Sequence, residues 1–160
     1  MRILGLDFGS KTVGVAVSDP FGWTAQGVEI IRREKENKLR KTYARIEALI
    51  KEYEVTEIIL GYPVMLQSGD EGERVEKTKE FKETLERRTG LPIIFRDERL
   101  TTVAANEAME EAGIPRYQWK EYVDMVAAQI ILQGYLDELE AAKKRKEVEE
   151  ELEQGKQGNL

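Results

Sequence analysis

The sequence contains no cysteine and no histidine among its 160 residues. Without cysteine it can form no disulfide, no zinc–thiolate site and no thiol nucleophile. Without histidine it has no Ser-His-Asp triad, no imidazole general base and few means of binding a transition metal. Only oxygen ligands remain for a metal ion, and oxygen ligands suit Mg²⁺, Mn²⁺ or Ca²⁺.

Long hydrophobic runs are also missing. No segment approaches the roughly 18 apolar residues that a membrane-spanning helix needs. The N-terminal residues 1–7 have the pattern of a strand and lack the apolar region and cleavage site of a signal peptide. The sequence therefore predicts a cytoplasmic protein with no membrane partner.

The net charge is −6, although charged residues make up 35% of the chain. A negative net charge argues against a nucleic-acid partner, because phosphate binding needs positive charge. The basic residues, however, form local groups, which could equally be solvated helix faces. The groups are Arg32, Arg33, Lys35, Lys38, Arg40, Lys41 and Arg45; Arg74, Lys77, Lys79 and Lys82; and Arg96 and Arg99.

Hydrophobic periodicity predicts the element order β-β-β-α-β-α-β-α-α. A three-stranded antiparallel meander followed by helix–strand alternation indicates an α/β fold, with a five-stranded mixed sheet and helices on both faces. A polar, glycine-bearing loop is expected at 62–73. The predicted strands are 2–7, 13–18, 26–32, 57–60 and 93–95, and the predicted helices are 36–53, 75–88, one ending at 112, and 122–150.

No linker or internal repeat divides the chain. We expect one domain over residues 1–139 and a charged tail over 140–160 that is helical or disordered, with disorder over 154–160. The segment from Asp137 onward carries eight acidic and five basic residues, and it therefore contributes half of the negative net charge.

Three acidic motifs are candidates for chemistry: DFGS at 7–10, DERLTT at 97–102 and VDMVAA at 123–128. The first two follow predicted strands, where α/β sheets place their sites, and the third lies in the first turn of a predicted helix. Each motif also has a purely structural explanation: a turn-capping aspartate, a surface ion pair with a helix cap, and an acid near a helix N-terminus.

In order and spacing, these motifs resemble one known family. It is the YqgF or RuvX family of pre-16S rRNA nucleases, formerly described as Holliday junction resolvases, and the resemblance spans residues 1–136. It rests on DFG at 7–9 with GVA at 14–16, GYP at 61–63 before a glycine-bearing loop, DERLTT at 97–102, and VD at 123–124 with AA at 127–128.

The resemblance implies a ribonuclease-H-like fold and a metal-dependent nuclease that matures the 5′ end of 16S rRNA. It places an acidic triad, which would both catalyse and hold Mg²⁺ (or Mn²⁺), on Asp7, Glu98 and Asp124. Two divalent ions can activate water and stabilise the leaving oxygen without histidine. The chain departs from the family pattern at Tyr62, where leucine is commoner, and this bears on substrate contacts by the adjoining loop.

Other residues are assigned to the substrate. Lys11 and Arg99 would bind phosphates, and Thr101 or Thr102 would orient Glu98 or cap the next helix. Strand alternation puts Asp97 and Glu98 on opposite faces without deciding which one faces the site. The loop residues expected near the site are Gly61, Pro63 and Gly69.

Three alternatives stay open at this point. The substrate could be branched DNA, whose resolution needs a two-fold dimer, and the sequence is compatible with a monomer or a weak homodimer. The chain could be a non-catalytic module that binds RNA, ribosomal precursor particles or a transcription factor. It could also be a phosphotransferase of the actin and sugar-kinase type, although it has the length of one lobe and a single acidic glycine loop.

Overall fold

A computed structural model describes residues 1–63, 70–98 and 101–158 of the chain. Its element order matches the predicted order, with one additional short 3-10 helix at Arg116–Gln118. The strands are β1 (Arg2–Phe8), β2 (Thr12–Ser18), β3 (Ala25–Arg32), β4 (Val55–Tyr62) and β5 (Ile93–Asp97). The helices are α1 (Arg40–Tyr53), α2 (Asp70–Thr89), α3 (Thr101–Glu111) and α4 (Trp119–Gly158).

The five strands form one mixed sheet in the order β3-β2-β1-β4-β5. β1 pairs antiparallel with β2 and parallel with β4, and β5 continues parallel to β4. The carboxyl ends of β1, β3, β4 and β5 therefore lie at the same edge of the sheet as the start of β2. We call this edge the site edge, because the acidic motifs at 7–10 and 97–102 begin there.

The two faces of the sheet carry different cores. On one face, large side chains of β1 such as Leu4, Leu6 and Phe8 pack against α1 and α2, where the Phe8 ring stacks on Phe81 at 4.1 Å. On the opposite face, small residues of the sheet pack against α4, and α3 lies on α4. The predicted α/β architecture, a mixed sheet with helices on both faces, is confirmed.

Glycine lets α4 approach the sheet closely. A Cβ atom added at Gly5 would lie 2.8 Å from Leu132 Cβ, and one at Gly14 would lie 1.8 Å from the backbone oxygen of Asp124. The second distance is far below van der Waals contact, and its partner is backbone, which no side-chain rotation can move. The start of α4 can therefore cross β2 only where β2 has a glycine.

Several predicted boundaries were wrong. α1 begins at Arg40 instead of 36, because Arg33 Nε donates to the Glu36 carbonyl and the chain turns between Lys35 and Lys38 first. α2 begins at Asp70, inside the predicted loop 62–73, and Tyr62 still belongs to β4. α4 continues to Gly158, through positions predicted to be disordered.

Two helices end close to a glycine with positive φ. Gly90, at 69°, follows α2 directly, and Gly113, at 74°, is the second residue after α3. In the part of the chain that the structure describes, no helix is long and apolar enough to cross a membrane.

Candidate functional site

Asp7 lies near the end of β1, between two glycines of the neighbouring strands. It pairs with Gly14 of β2, and it is one residue beyond the Leu6–Leu60 pair, which places it beside Gly61 of β4. Neither neighbour has a side chain, and the space over each glycine is taken by another acidic residue: the Asp124 backbone lies over Gly14 and the Glu98 carboxyl lies over Gly61. The acid–glycine arrangement thus lets these two acidic residues come close to Asp7.

Glu98 reaches this space from the end of β5. Its main-chain N–H donates to Tyr62 O at 3.3 Å, which extends the parallel pairing by one residue. Its carboxyl lies over Gly61, where an added Cβ would be 2.6 Å from Glu98 Oε2, and it forms a side-chain hydrogen bond with Asp7. Glu98, not the exposed Asp97, therefore faces the site, which the sequence left undecided.

The two carboxyls perturb each other. Burial raises the pKa of Asp7 well above its ordinary value, and the charge of Glu98, their shared hydrogen bond and the charge of Asp124 raise it further. Burial also raises the pKa of Glu98. The guanidinium of Arg74 acts in the opposite direction on both groups. The pair consequently favours holding a proton or another cation between its oxygens.

Asp124 lies beside this pair on α4. Because α4 begins at Trp119, Asp124 is in the second turn of the helix, not the first as predicted. Its Oδ2 accepts a hydrogen bond of 2.6 Å from the Thr12 hydroxyl. Within residues 1–63, 70–98 and 101–158, no three acidic side chains stand close enough together to form a ready metal cluster. The structure thus brings Asp7 and Glu98 into contact and places Asp124 next to them, bonded to Thr12.

Two arginines that received no individual role from the sequence fix the turn after β1. Arg74 of α2 donates to Phe8 O, and its guanidinium lies 4.8 Å from the centre of the Phe8 ring. Arg33 donates to Gly9 O and Ser10 O, both at 2.7 Å, and lies 5.1 Å from the same ring centre. These contacts join α2 and the β3–α1 connection to the segment that carries Asp7.

The remaining predicted site residues lie around the carboxylates, and for two of them the prediction concerns positions that the structure does not describe. Lys11 is exposed in the β1–β2 turn, and its ammonium has no partner among the described residues. Thr101 is buried, and its main-chain N–H donates to Glu98 O at 3.0 Å, whereas Thr102 is exposed. Pro63 directly follows β4. The predictions for Arg99 and Gly69 concern positions outside the described residues.

A family model agrees with this arrangement. The model, described as "RuvX: Holliday junction resolvase", matches residues 1–138. The chain belongs to the RuvX family.

Curated relatives of this RuvX chain share most of its length. One from Agathobacter rectalis, named "Putative pre-16S rRNA nuclease", is 65% identical over 139 residues, which cover 87% of this chain and 96% of the relative. A relative of the same name from Lachnospira eligens is 56% identical over 137 residues, covering 86% of this chain and 97% of the relative. Each alignment thus covers most of this chain and nearly all of the relative.

Solved structures share the fold at low sequence identity. Thermus thermophilus RuvC in complex with a Holliday junction substrate has a TM-score of 0.59 and 15% identity, covering 85% of this chain and 94% of that one. The fowlpox virus resolvase in complex with Holliday junction DNA has a TM-score of 0.54 and 14% identity, covering 87% and 99%. The ribonuclease-H-like fold predicted for this RuvX chain is confirmed.

The residues of the RuvX site fit a hard divalent cation. Asp7 and Glu98 offer only carboxylate oxygens, the ligand type that Mg²⁺ and Mn²⁺ prefer, and Asp124 adds a third carboxylate alongside. Burial is the main cause of the raised pKa values of Asp7 and Glu98, and repulsion by the charges of Glu98 and Asp124 raises the pKa of Asp7 further. A cation bound between these oxygens would relieve that repulsion.

Proposed function

We propose that this RuvX protein is a divalent-metal-dependent nuclease, with Mg²⁺ or Mn²⁺ held by Asp7, Glu98 and Asp124. Its proposed substrate is the 5′ region of pre-16S rRNA, alone or within ribosomal precursor particles in the cytoplasm. The observation that carries the proposal is the hydrogen-bonded Asp7–Glu98 pair at the site edge, with Asp124 beside it. The names of the curated relatives support the choice of substrate.

Each residue has a distinct part in the proposed reaction. Asp7 lies on the central strand of the sheet and would be the metal ligand contributed by β1. Glu98 and Asp124 would complete the ligand set from β5 and α4. The exposed ammonium of Lys11, in the turn that follows the strand of Asp7, would attract a phosphate of the substrate.

The bound ions would supply activation of water and stabilisation of the leaving oxygen, which the chain has no histidine to provide. The protein's own contribution is to gather the carboxylates over a floor without side chains at Gly14 and Gly61. Arg74 holds the backbone at Phe8 and offsets part of the negative charge of Asp7 and Glu98.

Cleavage of pre-16S rRNA fragments in Mg²⁺ or Mn²⁺ tests the proposal. Asp7→Asn and Asp124→Asn should each reduce the single-turnover rate by more than about 100-fold, since losing a ligand should cost at least as much as losing a group that orients one. Both variants should keep the circular dichroism spectrum of the wild type. Asp137→Asn is a matched control, because Asp137 is exposed on the same helix and far from the site; it should cleave normally.

The same assay can contradict the proposal. Equal cleavage by the wild type and by both site variants would mean that a contaminating nuclease is responsible. Binding of RNA without any metal-dependent cleavage would indicate the non-catalytic module instead.

Branched DNA is a second candidate substrate, favoured by the description of the family model as a Holliday junction resolvase. Resolution needs two coordinated cuts and hence a two-fold dimer. A four-way DNA junction in the same cleavage assay, together with sedimentation of the free protein, separates the two substrates. Paired symmetric cuts by a dimer would favour the junction over the rRNA precursor.

A further inference from the structure

A basic groove adjoins the connection between β3 and α1. It is a cavity of about 620 Å³ whose lining includes one acidic residue, Glu34. Its basic lining residues, which we call the basic groove, are Arg32, Arg33, Lys35, Lys38, Arg40 and Lys41.

Most of these cations are not engaged by the protein. The side chains of Lys35, Lys38, Arg40 and Lys41 are exposed, and none of the four forms an ion pair with a carboxylate of the described residues. Cations just outside the groove behave differently: Arg45 pairs with Glu29, for example, at 2.6 Å. In a chain with a net charge of −6, this is a local concentration of uncompensated positive charge.

The basic groove is continuous with the site edge. Arg33, one of its lining residues, donates to Gly9 O and Ser10 O in the turn that follows the strand of Asp7. Arg32 lies on the other side, where its Nη2 donates to Glu121 O in the first turn of α4, close in sequence to Asp124. The basic groove therefore lies next to the carboxylate site.

We propose that the basic groove binds the phosphate backbone of the nucleic-acid strand on one side of the bond to be cut. This inference rests on the proposed nuclease function for the identity of its ligand. Exposed, unpaired Lys and Arg side chains bind phosphates independently of base sequence, and such contacts fix the position of a strand without reading it. The groove would thus set where a strand enters the site.

Binding in EDTA tests this without requiring cleavage. The quadruple variant K35Q/K38Q/R40Q/K41Q is compared with the wild type by fluorescence anisotropy, using labelled single-stranded RNA and DNA of equal length and sequence. The matched control is K143Q/K144Q/R145Q/K146Q, which removes the same charge from an exposed part of α4 flanked by acidic residues.

We expect the groove variant to bind both strands at least tenfold more weakly at moderate salt. The slope of log affinity against log salt should fall by about 2 to 3, since each phosphate contact on a single strand contributes about 0.7. The control should bind within twofold of the wild type. Thermal melting of each variant checks folding, and the single reversal Lys38→Glu provides a milder variant that should also weaken binding.

The outcomes separate this inference from the proposed function. Unchanged affinity and salt slope in a folded groove variant would overturn the groove, whether or not the wild type cleaves. A loss confined to RNA or to DNA would also overturn it, because the backbone phosphates are common to both. A wild type that binds through the groove but never cleaves would contradict the nuclease function and leave the groove standing.

Discussion

Asp7 links the chemistry of the site to the stability of the fold. Its pKa is raised in the folded protein, above the ordinary value of 3.8. A group with a raised folded pKa contributes stability that is fully present below the unfolded pKa and is lost as pH rises through the folded pKa. The metal-free protein should therefore lose part of its unfolding free energy as pH rises from about 4 towards neutrality.

Urea unfolding in EDTA across this pH range measures the effect. Asp7→Asn stays neutral at every pH and should show a shallower decline than the wild type, with a stability that exceeds it near neutral pH. Asp137→Asn, an exposed aspartate, should follow the wild-type profile. Parallel profiles for the wild type and Asp7→Asn would show that Asp7 ionises normally in the folded state.

Thr12 is a positioning residue for Asp124, because its hydroxyl donates to Asp124 Oδ2 at 2.6 Å. A hydrogen bond to a charged group contributes about 1.5–3 kcal/mol, so Thr12→Val should reduce cleavage by about tenfold or more. Thr12→Ser keeps the hydroxyl and should restore most of the rate. When the cleavage rate is measured against Mg²⁺ concentration, Thr12→Val should need more Mg²⁺ than the wild type to reach half of its maximal rate. Equal rates in the Val and Ser variants would argue against this role.

The sequence identified the acidic residues of the site but not the residues that contact them. The resemblance named Asp7, Glu98 and Asp124, but strand alternation alone could not choose between Asp97 and Glu98. The choice depends on how β5 meets β4. Thr12 was missed because its partner lies 112 residues away, a separation that no local pattern encodes. Arg74 stood only as one cation among several on α2.

The contact between α4 and β2 depends on the absence of a side chain at Gly14. In Gly14→Ala the new Cβ would lie 1.8 Å from Asp124 O, so the helix or the strand must shift. We expect a loss of unfolding free energy of at least about 1–3 kcal/mol, the range for overpacked cores, together with loss of cleavage as Asp124 is displaced.

A second glycine of the chain provides the control for this substitution. Gly155 is helical and has open space around its Cβ position, so Gly155→Ala should stabilise the helix by about 0.5–1 kcal/mol. Urea unfolding of both variants gives the comparison. Similar small effects at the two positions would show that α4 does not pack on β2 as closely as described.

At the scale of elements, periodicity predicted which segments are helices and strands, whereas tertiary contacts decided where they begin. The meander and the buried strands carry strong apolar patterns, and their order was confirmed. The start of α1 depends on hydrogen bonds of Arg33 to Glu36 and to the β1–β2 turn, which are not visible in a hydrophobic pattern. α4 is longer than predicted because residues 151–158 are exposed and contain a single large apolar residue, Leu152, so that no apolar periodicity marks them as helical.

The body of the molecule should fold without the end of α4, which makes residues 1–139 our proposed domain. Every residue from 137 to 158 is exposed, so a chain ending at Glu140 loses no buried contact. Its melting temperature should change by no more than about 1–2 °C, as for surface changes worth about 0.5 kcal/mol. Leu136→Ala, in contrast, removes a buried side chain and should cost about 2–5 kcal/mol.

The net charge of the chain was less informative than the positions of its charged residues in the folded molecule. The net charge of −6 argued against a nucleic-acid partner, yet the fold gathers six basic residues around one groove beside the site edge. Much of the negative charge lies on the exposed end of α4, away from that groove. A sum over residues cannot report this separation, because it arises only when the chain is folded.

The 40-residue length of α4 has a practical consequence for anyone handling the protein. At about 1.5 Å per residue the helix is about 60 Å long, and its final portion extends roughly 30 Å past Asp137. Asp124 sits near one end of this rod and Gly158 at the other. A dye, a fusion partner or a surface tether attached at the C-terminus would thus stand well clear of the face where substrate is expected to dock.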